Sequence, residues 1–310
     1  MTSVSIVIPT IGRVNRLNRA LQSVVSQTRI PEEIIVVSKC DKSKLTDIIK
    51  KFDVSITLIE QSGDGLSNAR NEGISASSGT LIAFLDDDDW WKPKKIELQV
   101  QSIRKTDTAF IFTGTQHVDS ARNTINFQIP TSKPDDQDIL TSNAIGTPST
   151  VLVKRTCLNA VGGFDETLPS REEWDLYMRL LENFDCDFIS EPLTVKESHD
   201  NTMSRDVDLI ERDWMALFEK HKSKYDERTE RQFLSNYHFE LGRMSCKNGE
   251  LLKGRSHYRK SIKYSNNYTR IPHYIATFFD NQSYAFFTGI YRTLCKTKLR
   301  LQHSEKLDSS

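Results

Sequence analysis

Over the first hundred residues, short apolar runs alternate with segments whose apolar residues recur at helical spacing, and few folds accept that rhythm. Val4–Ile8 reads V-S-I-V-I and stops at Pro9. Leu17, Ala20, Leu21, Val24 and Val25 follow at helical spacing, then a second apolar strand over Glu33–Val37. Leu45, Ile48, Ile49 and Phe52 mark a second helix, and Ser55–Ile59 alternates as a third strand. Gly63 and Gly65 make a turn, Leu66–Ala76 reads as a helix, and Thr80–Leu85 is a fourth strand. Pro93 fits the first turn of a further helix carrying Ile96, Val100 and Ile103. Strand and helix in strict alternation predict an α/β chain, with a mostly parallel, Rossmann-like sheet covered by helices on both faces. No G-x-G-x-x-G follows the first strand, so the dinucleotide fingerprint is missing.

The fourth strand runs into four consecutive aspartates, Asp86 to Asp89, and then Trp90-Trp91. In parallel sheets, ligands collect outside the carboxyl ends of the strands. If the chain stays extended, Asp86 and Asp88 share one side and Asp87 takes the other. Two carboxylates on a rigid strand end would seat a hard divalent cation, Mg²⁺ or Mn²⁺, which prefers oxygen ligands and often completes its shell with substrate phosphates. The alternative is an acidic turn that merely solvates a strand end, at odds with the repulsion among four adjacent carboxylates.

Beyond residue 103, Phe110–Gly114 reads as a fifth strand, residues 119–142 as a polar surface loop, and Thr150–Lys154 as another strand. Gly162-Gly163 marks a turn, Trp174–Asn183 a helix, Asp187–Ile189 a short strand, and Pro192 to Asp206 an irregular flap. These predict a catalytic domain over 1–205 and a helical region over 206–310. In the latter, Leu209–Lys220, Thr229–Lys247 and Glu250–Tyr264 are helical, the last two resembling a single tetratricopeptide-like hairpin that should dock on the catalytic domain or a partner. Residues 271–302 read as one aromatic-rich helix, with Arg292, Lys296, Lys298 and Arg300 and no acidic residue between Ser283 and His303. That is the profile of a peripheral membrane contact over 272–301 on an anionic surface, with a core-packed final helix as the alternative.

The 310 residues carry 42 basic and 42 acidic side chains, so no global charge argues for nucleic acid as a partner. Five scattered cysteines without a C-x-x-C pair argue against a zinc knuckle or a disulfide scaffold and fit a reducing cytoplasm. No basic-then-apolar leader opens the sequence and no run of 18 apolar residues occurs, so neither signal peptide nor spanning helix is expected. The expected location is cytoplasmic, at the inner face of the membrane.

Seven blocks in order resemble the inverting glycosyltransferases of family 2, which have the A-type glycosyltransferase (GT-A) fold. They are I-V-I-P-T (6–10), R-A-L-Q-S-V-V-S-Q-T (19–28), E-E-I-I-V-V (32–37), G-L-S-N-A-R-N-E-G-I (65–74), A-F-L-D-D-D-D-W-W-K-P-K-K (83–95), G-G-F-D-E (162–166) and E-E-W-D-L-Y-M-R-L (172–180). The resemblance covers residues 4–205. It implies a nucleotide-sugar donor, a divalent metal, and transfer with inversion to a hydroxyl of a glycan or lipid-linked acceptor. The family's metal motif matches Asp86-Asp87-Asp88, with Asp88 on the metal and Asp86 on the ribose or the metal. Nucleotide-sugar contacts map to Pro9, Thr10, Arg13, Arg70, Asp86 and Asp87. Arg70 could instead be a structural ion-pair partner, and Asn71 reads as a helix or turn partner. Where the family carries an Asp pair after the second strand, this chain has Ser38-Lys39-Cys40-Asp41, so either Asp41 reaches the base or Ser38 does; a UDP-sugar remains the expected donor.

The same resemblance puts the general base at the second residue of an acidic pair. Here that residue is Glu173, after Glu172, with Asp175 in reserve and Arg179 one turn on. Plain stabilisation of the Trp174 helix start is the competing explanation. In the flap, His199 would reach the metal or diphosphate and Arg205 would clamp the diphosphate. Trp90, Trp91 and Trp174 could stack on a sugar or simply pack. Other classes consistent with the residues are a nucleotidyltransferase, which would release pyrophosphate, and a non-catalytic nucleotide-sugar-binding scaffold.

Overall fold

The computed structural model describes residues 2–40, 42–197, 207–265, 268–280, 284 and 286. The chain separates into two compact units, residues 1–200 and 201–310.

In the first unit, β1 (Val4–Thr10) is buried along its whole length and lies between β2 (Glu33–Ser38) and β4 (Leu81–Phe84). β3 (Ile56–Glu60) extends the parallel set. Three helices are threaded between these strands: α1 (Val14–Val25), α2 (Ser43–Ile49) and α3 (Gly65–Ala76). α1 buries Leu17, Ala20, Leu21 and Val24, the i, i+3, i+4, i+7 stripe expected for a helix lying on a sheet. Burying each such leucine contributes about 1.5–3 kcal/mol.

Beyond β4 the sheet becomes mixed. The strand order is β3-β2-β1-β4-β8-β6-β9-β5, with β7 hanging on β6. Its members are β5 (Asp89–Trp91), β6 (Phe110–Val118), β7 (Thr124–Gln128), β8 (Val151–Lys154) and β9 (Cys186–Glu197). β8 runs antiparallel to both β4 and β6, whereas β9 is parallel to β6. Four further helices complete the unit: α4 (Lys95–Thr106), α5 (Asp136–Thr141), α6 (Arg155–Val161) and α7 (Glu172–Leu181).

Two stretches differ from the sequence reading. The polar segment 119–142 is not all loop, because β7 and α5 lie inside it. β7 exposes nearly every side chain, so no apolar signal marks it; α5 is announced only by a capping box between Asp135 and Asp138. β9 runs on to Glu197, so strand replaces flap over 192–197; Pro192 is tolerated because the register against β6 shifts around Gly114.

The second unit is helical: α8 (Val207–His221), α9 (Glu227–Lys247), α10 (Leu251–Tyr264) and α11 (Ile271–Ala276). Asp226 caps α9, accepting from Thr229 N at 2.7 Å. α9 and α10 form the expected hairpin, and two glycines let them approach. A Cβ on Gly254 would lie 2.2 Å from Cys246 Sγ, and one on Gly242 2.9 Å from Tyr258. Within the unit, Phe218 of α8 stacks on Phe233 and Trp214 meets the same ring edge-on, while Tyr284 hydroxyl meets that of Tyr258 at 2.7 Å. The predicted continuous helix from 271 instead breaks after Ala276, where Arg255 donates to Thr277 O at 2.5 Å. Most of residues 272–301 lie outside the described residues. Among the described residues no helix is long and apolar enough to cross a membrane.

Candidate active site

The aspartate run leaves β4 as a tight turn, not as a continued strand. Asp86 N donates to Ser149 Oγ at 3.0 Å, and Asp89 N closes the turn onto Asp86 O at 3.0 Å. Strict alternation is therefore lost, and the expected pairing of Asp86 with Asp88 on one side gives way to another arrangement. Asp86 faces Arg70 and Thr147, while Asp87 and Asp88 both face Arg13.

Each carboxylate has a distinct setting. Asp86 accepts from Arg70 Nη2 at 2.8 Å and from Thr147 Oγ1 at 3.2 Å. Burial opposes its charge, yet the Arg70 and Lys196 cations hold it below the ordinary carboxylate range. Asp87 is 1% exposed; it accepts from Thr10 Oγ1 at 2.6 Å and from Arg13, and burial pushes it upward despite those partners. Asp88 is the more open, with Arg13 Nη1 at 3.2 Å and Arg16 Nη1 at 3.7 Å on one oxygen, while Arg19 donates to its backbone carbonyl at 2.8 Å. Asp89 is wholly buried and pushed up to about 7, with Lys196 Nζ 3.9 Å away. Arg13, Arg16 and Arg19 recur every three residues at the start of α1, which puts all three on the side facing the turn.

Arg70 links the two ends of the site. It is 1% exposed, donates to Asp86 through one nitrogen and to Glu172 Oε1 at 2.7 Å through another, and lies over the Phe164 ring at 5.2 Å. It is thus an ion-pair bridge that also lines the cavity beside it. Its neighbour Asn71 both donates to and accepts from Phe164 at 2.9 Å, and donates to Glu166 at 2.8 Å, which fixes the G-G-F-D-E turn on α3.

α7 begins with Glu172 and Glu173, after Arg171 in the left-handed conformation at φ 63°. Glu173 accepts from Asn143 Nδ2 at 3.1 Å. Burial, together with the adjacent Glu172 charge, pushes its carboxyl up to about 7. Glu173 shares a cavity of about 410 Å³ with Arg70, Asp86, Thr147, Glu172 and Lys196. Asp175, the reserve base, is turned elsewhere: it is fully buried and paired with Arg179 at 2.6 Å, and it does not line that cavity.

The remaining predicted residues divide in three. Pro9 and Thr10 end β1 in register with Val37 and Ser38. Ser38 is spent on its own turn, donating to Cys40 O at 2.9 Å and accepting from Cys40 N at 3.1 Å. Asp41, His199 and Arg205 lie outside the described residues. Of the tryptophans, Trp91 and Trp174 are core residues whose indole N–H groups donate to Ser149 O and Ile139 O, while Trp90 lies beneath Arg19 at 4.0 Å. Asn143 and Thr147 lie in the 143–150 stretch whose shape is expected to set sugar and acceptor choice, whereas Lys196 and Arg16 carry no motif that marks them. Lys196 was hidden by reading its segment as irregular; a three-residue spacing of arginines was the available signal for Arg16.

The family model described as Glycosyl transferase family 2 matches residues 5–162, half of the chain. The chain belongs to glycosyl transferase family 2. The match spans the acid turn and stops short of Glu172 and Glu173. An uncharacterized glycosyltransferase of Haemophilus influenzae is 28% identical over 210 residues, 66% of this chain and 71% of that protein. Another, from Rickettsia typhi, is 26% identical over 228 residues, 70% and 72% of the two chains. Among solved structures, S. aureus TarS 1-349 aligns with a TM-score of 0.60 at 17% identity, covering 94% of this chain and 92% of that one. TarS 1-349 has also been solved with UDP-GlcNAc. The mannosyltransferase PcManGT of Pyrobaculum calidifontis, solved with GDP-Man and Mn2+, aligns with a TM-score of 0.59 at 14% identity, covering 84% and 75%. These likenesses establish a glycosyltransferase with the GT-A-like mixed α/β fold.

Proposed function

We propose that this family 2 enzyme moves a sugar from a nucleotide-sugar donor, a UDP-sugar first among them, to a hydroxyl of a glycan or lipid-linked acceptor, with inversion, in cell-surface polysaccharide synthesis. One observation carries the reading: Glu173, titrating near neutrality, opens into the same cavity as Asp86 of the acid turn, and Arg70 ties the two ends together. A general base works best when its pKa lies near the working pH, and such help is worth roughly 10²–10⁴-fold.

Glu173 would accept the acceptor hydroxyl's proton as the oxygen attacks the anomeric carbon, through an oxocarbenium-like state. Asn143, donating to one oxygen, orients the carboxylate. Arg13 and Arg16, both within reach of Asp88, offer planar cations suited to the diphosphate. Thr10, Pro9 and Asp87 would border the nucleoside, with Asp41, His199 and Arg205 assigned by resemblance alone.

The donor set suits Mg²⁺ or Mn²⁺. Asp86 is held by Arg70 and Thr147, whereas Asp88, the more open carboxylate, is the one that would reach a cation together with the donor's phosphates. Mg²⁺ is commonly held by one or two carboxylates with the substrate's phosphates completing its shell. Such a cation would supply charge neutralisation to the departing nucleoside diphosphate. Scattered free cysteines favour work on the cytoplasmic side, peripheral to the membrane.

The test is nucleotide release and sugar transfer from a panel of UDP- and GDP-sugars with Mn²⁺, for wild type and Glu173→Gln. The variant should bind donor as before and lose transfer. Undiminished transfer by Glu173→Gln removes the assignment.

A further inference from the structure

The cavity that holds Glu173 does not end at its own walls. A second cavity of about 220 Å³ adjoins it, and the two share Thr115 and Gln128. These residues are directly opposed across β6 and β7, so one cross-strand pair forms the partition. The connecting loop serves both sides as well: Asn143, Gly146 and Thr147 face the Glu173 cavity, whereas Ala144 and Ile145 face the second.

The floor of the second cavity is built by a bulge. The β6–β9 register shifts on both sides of Gly114. A Cβ there would lie 2.7 Å from Gln128 O and 3.1 Å from Glu191 O, so only glycine lets the β7 end and β9 close together beneath the pocket. Bulges beside active sites commonly re-aim side chains, and this one sits between Thr113 and Thr115, both lining residues.

The chemistry of the two cavities differs sharply. The Glu173 cavity carries Arg70, Asp86, Glu172 and Lys196. Among the described residues, the second is lined by no ionisable side chain. Its walls are hydroxyls and an amide (Thr113, Thr131, Ser132, Gln128) alternating with apolar surface from Phe112 and Ile145. The nearest basic residue in the sequence, Lys133, pairs with Asp187 at 3.8 Å. Alternating hydroxyls and apolar faces are the surface of a sugar ring, and a charged ring would enter without a counter-ion, a costly arrangement. The volume is of the size of one sugar ring.

Building on the glycosyl-transfer reading, we propose that this second cavity is the acceptor subsite and that it takes an uncharged sugar ring, presenting a hydroxyl past the Thr115–Gln128 pair to Glu173. Acceptors whose terminal unit is a uronate or a phosphodiester are selected against by the missing cation. Thr131 and Ala144 both line the pocket and both are solvent-exposed, so a larger side chain at either can be accommodated by the fold.

Saturation-transfer NMR on the full chain tests this, with methyl glucoside, methyl N-acetylglucosaminide and methyl glucuronide as probes. The two neutral glycosides should bind, and the glucuronide about tenfold more weakly or not at all. Ala144→Trp should weaken the neutral probes about tenfold; Thr131→Trp, at a second lining position, reads the same pocket should the first variant not fold. Glucuronide binding equal to or tighter than glucoside, neutral binding undiminished in the filled variants, or no binding of either neutral probe overturns the proposal. Binding of UDP- and GDP-sugars with Mn²⁺, measured in parallel on wild type by calorimetry, reads the donor site alone: its absence counts against glycosyl transfer, while the NMR result still decides the pocket.

Discussion

Replacing Arg70 by Met keeps volume while deleting the cation that two buried carboxylates share. Arg70 is 2% exposed at its side chain, Asp86 19% and Glu172 10%, so little water screens what is left behind. Two charge-assisted hydrogen bonds, at 2.7 and 2.8 Å, disappear together. At about 1.5–3 kcal/mol each, their loss sums to roughly 3–6 kcal/mol. This agrees with the roughly 3–5 kcal/mol typical of stripping one partner from a buried pair. For a unit of this size about 1 kcal/mol moves the melting point by roughly 2–4 °C, so Arg70→Met should lower it by at least about 6 °C. Thermal denaturation of the full chain by near-ultraviolet circular dichroism checks the figure. Adding Glu172→Gln should return part of the loss, because one orphaned charge goes with it. The pH profile gives a second reading. Arg70 pulls the Glu173 pKa down, so its removal should move the midpoint of any Glu173-dependent activity upward from about 7. A melting point within about 2 °C of wild type, or no recovery in the double variant, would refute the bridging role.

Transfer should rise with pH through a midpoint near 7, since Glu173 acts deprotonated and its carboxyl is pushed up to about 7; rates measured from pH 5 to 9 check this, and a flat profile counts against the base. Asp88→Asn should weaken Mn²⁺ binding in the presence of UDP at least tenfold by electron paramagnetic resonance, with unchanged binding as the contrary result. Gly12→Ala should cost about 1–3 kcal/mol in urea denaturation, because Gly12 has φ +88° and a Cβ would lie 2.5 Å from Cys40 Sγ. The same change should disturb Arg13, its neighbour in the chain, and so raise the Michaelis constant for the donor.

The parallel half of the fold was legible because its strands are continuous apolar runs, and helix spacing between them is unbroken from Leu17 to Ile103. The aspartate run announced a site for the same reason: nothing in a buried strand calls for four carboxylates. Their directions were not legible, since a turn replaces the strand at Asp86 and local hydrogen bonds to Ser149 override alternation. β7 escaped notice because an edge strand exposed on nearly all sides has no period-two signal. Lys196 escaped for a tertiary reason: it joins the cavity residues only because β9 pairs with β5, opposing Lys196 to Asp89, which lies 107 positions earlier in the chain. Glu173 is singled out as the candidate base by its family motif alone, and nothing in its helical spacing separates it from Glu172.

The partition between the two halves of the sheet has an evolutionary reading. The arginines of α1 and the aspartates of the turn belong to the parallel half and its exit, whereas Thr115, Gln128 and the 143–147 loop belong to strands added beyond β8. On the acceptor-subsite proposal, drift confined to residues 112–132 would re-tool what is glycosylated while leaving Asn143 at Glu173 and Thr147 at Asp86 in place. Chimaeras exchanging that segment between relatives should inherit acceptor choice from the insert and donor choice from the host.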